Sequence, residues 1–175
     1  MELHELAMQS FLEGLRIRRK VLGINHRDVA IILYNIATIH LEAGNEDEAM
    51  QFYRETLRVE RAALGENHGD VVLTLQHIGQ VHQQRGELDQ SLKYFGEALR
   101  IQRVTLEEGN VAIAQTLNRI GNVHLQKGNT EGMVASFSEA IRIFRKAGRS
   151  DADLVVSGFN FYGLSKLHPE CAATA

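Results

Sequence analysis

Cysteine and proline are almost missing from this chain. Cys171 is the only cysteine, so no internal disulfide can form, and nothing marks an oxidising, secreted setting. Pro169 is the only proline and falls after the last helical pattern. A chain without internal proline, with 15 glycines at mostly regular places, points to helices joined by short turns. No sign of charge dominates. Nineteen basic residues against 22 acidic ones leave a net charge of -3, which gives no reason to expect nucleic acid or an anionic membrane as the partner. No stretch approaches the ~20 apolar residues of a membrane helix. The first residues, MELHELAMQS, lack the basic-then-apolar order of a signal peptide. The expectation is a soluble, cytoplasmic protein. Signatures of catalysis are missing as well: there is no G-x-G-x-x-G, P-loop, H-E-x-x-H or G-x-S-x-G. No pair of carboxylates has predicted positions that converge in a pocket. Neither an enzyme nor a cofactor is expected.

What the chain has is a repeat. Sliding it by 42 residues aligns it with itself without gaps: His40, His82 and His124 coincide, since 82-40 and 124-82 both equal 42. Gly44, Gly86 and Gly128 coincide too, as do Leu33, Leu75 and Leu117, and Ile36, Ile78 and Ile120. An aromatic column, Phe11, Tyr53, Phe95 and Phe137, runs through all four units, and so does Leu15, Leu57, Leu99 and Ile141. A fixed period of this length marks stacked structural units, none of which can bury its apolar face alone.

Each unit holds two helical patterns. Val29, Leu33, Ile36, Ala37 and His40 keep the spacing of one helix face, and Gly44-Asn45 then stops the helix. Ala49, Phe52, Tyr53, Thr56 and Leu57 begin a second amphipathic pattern. First-type (A) helices are predicted near 28–43, 70–85, 112–127 and 152–167. Second-type (B) helices are predicted near 3–21, 46–63, 88–105 and 130–147. Asp28 and Asp70 are the predicted N-caps, with His26 and His68 holding the linker turns. The predicted organisation is one array over 3–167: a half repeat at 3–28, full repeats at 29–70, 71–112 and 113–150, and a C-terminal helix at 151–167. Residues 168–175 are expected to be a disordered tail. The column Ala37, Gly79 and Gly121 places small residues where A and B helices touch, leaving room for Tyr53, Phe95 and Phe137.

These columns resemble the tetratricopeptide repeat (TPR). The first unit supplies Leu33, Ile36, Ala37, His40, Ala49, Tyr53 and Thr56. The second supplies Leu75, Ile78, Gly79, His82, Ser91, Phe95 and Ala98, and the third Leu117, Ile120, Gly121, His124, Met133, Phe137 and Ala140. The 42-residue period and the linkers Leu22-Gly23-Ile24-Asn25-His26 and Leu64-Gly65-Glu66-Asn67-His68 are similar to kinesin-light-chain repeats. The third linker, Leu106-Glu107-Glu108-Gly109-Asn110, departs from that signature. Met133 replaces a small residue, and Gly96 interrupts a B helix, so the third hairpin is expected to be the loosest. The resemblance implies an all-α fold, a right-handed superhelical α-solenoid of stacked antiparallel helix pairs. It also implies a non-enzymatic scaffold that binds a peptide or protein segment along its concave, A-helix face.

On that face the expected ligand contacts are Tyr34, Asn35 and Thr38, then Gln76, His77 and Gln80, then Asn118, Arg119 and Asn122. Amide side chains offer both a donor and an acceptor, which suits them to the peptide units of an extended ligand; the competing reading is a solvated polar face. His40, His82 and His124 invite a metal, but neighbouring hairpins lie about one helix diameter apart, ~10 Å. Metal ligands must reach within ~2.1 Å, so packed histidines are expected and no metal. The B helices carry Glu–Arg pairs at i,i+3 (Glu13–Arg16, Glu55–Arg58, Glu97–Arg100, Glu139–Arg142) and a second arginine column, Arg19, Arg61, Arg103 and Arg145. They read as a solvated, ion-paired convex face, or alternatively as a ridge for an acidic partner. Apolar residues on several sides of 152–167, Phe159 and Phe161 among them, suggest an alternative role: self-association or docking through that terminal helix.

Overall fold

The computed structural model describes residues 2–149. It is all-α: α1 (Glu2–Leu22), α2 (Arg27–Glu42), α3 (Glu46–Leu64), α4 (Gly69–Gln84), α5 (Leu88–Thr105), α6 (Val111–Gln126) and α7 (Thr130–Lys146). No strand occurs among the described residues. Each helix lies within one residue of its predicted bounds at both ends. The helix expected near 152–167, the tail and the self-association attached to them lie outside the described residues.

The stops and starts repeat with the sequence. Each A helix ends in a glycine of positive φ: Gly44 at 79°, Gly86 at 73° and Gly128 at 70°. The next amide then reaches back over the last turn, Asn45 to the His40 carbonyl (2.8 Å), Glu87 to His82 (2.9 Å) and Asn129 to His124 (2.9 Å). This left-handed cap occupies carbonyls that the helix end leaves open. At the other end the expected caps are corrected. His26 and His68, rather than Asp28 and Asp70, are the N-caps, and their Nδ1 atoms accept from the amides two residues on, each at 3.1 Å. Asn110, one period after His68, does the same for the Ala112 amide at 2.9 Å. The third linker has therefore changed its residue type but kept the cap.

The described residues fall into two compact units, divided between Ile101 and Gln102. In the first, α2 packs on α1 and α3, and α3 on α4. Leu15, Val29, Ile32, Leu33, Ile36 and Val59 form one buried cluster. Tyr53, Val71, Leu75, Ile78, Val81 and Ile101 belong to the next. Tyr53 and Phe95 are fully buried. A Cβ on Gly79 would stand 3.0 Å from the Phe95 ring, which explains the small residue at that column. In the second unit α6 packs on α7, and the same relation is tighter: a Cβ on Gly121 would lie 2.6 Å from Phe137 Cδ1.

Arginines of one B helix reach glutamates of the next. Arg19 binds Glu55 (2.7 Å) and Arg61 binds Glu97 (2.5 Å) in the first unit, and Arg103 binds Glu139 (2.8 Å) in the second. All three pairs are 36 residues apart in sequence. Of the predicted pairs within a helix, Glu13–Arg16 forms at 2.7 Å and Glu55–Arg58 at 3.8 Å. The second arginine column thus links helices through its first three members.

Candidate functional site

The A helices α2 and α4 of the first unit lie side by side and join Tyr34, Thr38 and His77 of the predicted contacts. Tyr34 of α2 and His77 of α4 share a hydrogen bond of 2.7 Å between the phenol oxygen and Nε2. The His77 ring stacks on Tyr53 of α3 with centroids 5.4 Å apart, and Tyr34 meets both rings edge-on. Thr38 donates to the Tyr34 carbonyl at 3.1 Å and lies 3.2 Å from the Tyr53 hydroxyl. Tyr34, Thr38 and His77 therefore form one braced group in which each polar end is partly engaged by another.

The remaining predicted residues differ in access. Asn35, Gln76 and Gln80 are half-buried. In the second unit Arg119 is exposed, Asn122 half-buried and Asn118 buried, at 6 % exposure. Its column predicts Asn118 on the outward face; the residue belongs instead to the packed side of α6.

Glu60 is the functional candidate that sequence reasoning missed. It sits on the apolar stripe of α3, seven residues after Tyr53, and is 4 % exposed. Its Oε2 is buried and has no hydrogen-bond partner among the described residues. Burial pushes its carboxyl up to about 7; the neighbouring Thr74 hydroxyl opposes the rise and the charge of Asp70 adds to it. Burial, then the Glu60 charge, raises the Tyr34 phenol as well. Glu60 lines a cavity of about 190 Å³ with Arg27, Ile31, Tyr34, Asp70 and Leu73. Two of these lining residues, Arg27 and Asp70, pair at 3.4 Å. Ile31 and Leu73, also lining the cavity, are 45 % and 53 % exposed. Two carboxylates thus line one cavity, contrary to the expectation that none converge. The available signal was an acidic residue at a position where the helix period demanded an apolar one.

The recurring histidines are each engaged within their own hairpin. His40 stacks on Phe52 (5.4 Å) and His82 on Tyr94 (5.2 Å), with His82 Nδ1 also bonded to Glu87. In the third hairpin Ser136 takes the place of that aromatic. The His124 ring instead lies where a Cβ on Gly132 would stand, 2.8 Å away. Burial, then the charge of Lys127, lowers the basicity of His124. No group of three or more possible metal ligands occurs among the described residues.

Paired helices at a constant interval, closed by the same caps and filled by the same aromatic column, define a helical-repeat protein. The tetratricopeptide repeat family matches the chain at residues 1–62, 51–104 and 70–147, and the protein belongs to that family. No curated protein matches. Solved structures do. BtubC (BKLC) from P. vanneervenii is similar with a TM-score of 0.75 and 23 % identity, over 84 % of this chain and 59 % of that one. The present chain thus spans about three-fifths of that protein's structure. A putative kinesin light chain from Podosopora anserina, with nearly identical TPR-like repeats, gives 0.63 and 13 %, over 88 % of this chain and 84 % of that one. The Rap conjugation gene regulator of plasmid pLS20, in complex with a Phr peptide, gives 0.60 and 20 %, over 83 % and 38 %. At such identities the likeness establishes the fold. No helix among the described residues is long and apolar enough to cross a membrane.

Proposed function

We propose that this protein is a non-enzymatic interaction scaffold that holds an extended peptide or protein segment on its A-helix face. The observation that carries the proposal is the surface shared by α2 and α4. It combines half-buried amides, Asn35, Gln76 and Gln80, with exposed Ile31 and Leu73 over a braced Tyr34–His77 pair. Amides pair with peptide groups, exposed apolar side chains take up alternate ligand side chains, and a rigid floor lowers the ordering cost of binding. The peptide in the Rap structure lends support to a peptide as ligand. In the second unit Arg119 and Asn122 offer polar contacts of the same kind.

The test is selection of binders from a displayed random peptide library, followed by titration against Asn35→Ala, Gln76→Ala and Gln80→Ala variants. Loss of affinity with an unchanged helical circular-dichroism spectrum is the expected result. Binders that ignore all three changes would move the function away from this face.

A further inference from the structure

We infer that the cavity between α2, α3 and α4 receives the cationic end of a lysine or arginine side chain from the bound peptide, set against Glu60, with its aliphatic stem across Ile31 and Leu73. This deepens the peptide-binding proposal and rests on it.

The chain contains its own comparison. One period after Glu60 stands Gln102, and one period after Thr74 stands Thr116. Gln102, also 4 % exposed, accepts from the Thr116 hydroxyl at 2.7 Å and donates to the Ala112 carbonyl at 3.3 Å. A neutral amide therefore satisfies this position of the repeat at both ends. The acid at 60 cannot do the same once ionised, because a carboxylate has no proton to donate. The fold does not need a carboxyl here, and an uncompensated one is costly.

The surrounding charges leave that carboxyl without a counterion. From α2 it faces Arg27 and Tyr34, and from α4 Asp70 and Thr74. Arg27 is turned to Asp70, and Asp70 also lies 3.6 Å from His68 Nδ1. Arg27 and Asp70 cancel, so ionised Glu60 leaves the cavity one negative charge in excess. A cation from outside is the complementary occupant. The exposed Ile31 and Leu73 beside the opening suit the methylene stem of a long basic side chain. An acidic side chain would meet two carboxylates. A peptide carbonyl could accept only from protonated Glu60, with the opposite dependence on pH.

The experiment uses the whole chain and blocked alanine-based hexapeptides carrying one central arginine, lysine, norleucine or glutamate. Binding is followed by NMR at the Ile31 and Leu73 methyls and the Glu60 carboxyl carbon. The arginine and lysine peptides should bind about tenfold more tightly at pH 8 than at pH 6, because the competent, ionised fraction of Glu60 rises by that factor. They should also lower the apparent Glu60 pKa, and Glu60→Gln should erase both the preference over norleucine and the pH dependence. Equal binding of the norleucine peptide, tighter binding at pH 6, or a charge preference that survives Glu60→Gln would each overturn the inference. Peptides that move Asn35 and Gln80 signals while leaving Ile31 and Leu73 unmoved would overturn this pocket alone and spare the peptide-binding face. Absence of any peptide response on α2 and α4 would overturn both.

Discussion

At the scale of single residues, three glycines that look alike in sequence do different things. Gly121 faces the Phe137 ring at a separation no Cβ tolerates, whereas Gly79 leaves Phe95 a few tenths of an ångström more room. Gly96 faces open space on a helix. Gly121→Ala should destabilise by about 1–3 kcal/mol through overpacking, and Gly79→Ala by less. Gly96→Ala should stabilise by roughly 0.5–1 kcal/mol through helix propensity. Urea denaturation of the three variants checks the order. The small column at Ala37, Gly79 and Gly121 was legible in the sequence because A–B packing recurs with the period. The difference between Gly79 and Gly121 was not, since it depends on where each aromatic ring settles. Glu60 escaped attention for another reason. Column comparison rewards identity between units, and Glu60 matters because Gln102 differs from it.

At the scale of the element, nearly all of the helix plan could be read from the sequence. Period and punctuating glycines are local signals, and each left-handed cap fixes its own helix end. The N-caps were only half legible. Asp28 and Asp70 are standard capping types, but the chain direction of the linker presents His26 and His68 to the first amides instead. Asn110 shows what the position requires: an acceptor two residues before the amide it serves. His68→Asn should therefore leave stability within a few tenths of a kcal/mol, while His68→Ala should cost about 1 kcal/mol. Thermal unfolding of the pair would show it; equal melting temperatures would mean the cap contributes nothing. The arginine column of the B helices was legible as a regular feature but not as a set of bridges. Spacing within a helix suggests i,i+3 partners, and only the packing of one hairpin on the next brings a glutamate 36 residues away within reach.

For the whole molecule, the buried acid couples stability to pH. The ordinary glutamate value is 4.5, and burial lifts Glu60 to about 7. Between those values the folded chain holds a proton that the unfolded chain has released, so stability falls as pH rises through that window. The loss approaches about 3 kcal/mol at most above pH 7. Glu60→Gln should flatten this slope between pH 5 and 8 and be the more stable protein at pH 8. Chemical denaturation of both forms across that range measures it, and parallel pH profiles would contradict the account. Of the candidate site, the sequence exposed the A-helix polar residues but not which of them clasp one another, because Tyr34 and His77 are 43 positions apart and share no column.

The three bridges between B helices also give the chain a polarity. Glu55 takes the base of the hairpin before it, and Arg61 on the same helix passes a base to the hairpin after it. A spare copy of one 42-residue stretch spliced in register would arrive with its acid and its base already facing the correct neighbours. A splice that moved Glu55 along its helix relative to Arg61 would leave Arg19 without its acid. A change of one whole 42-residue step would therefore keep each acid opposite its base.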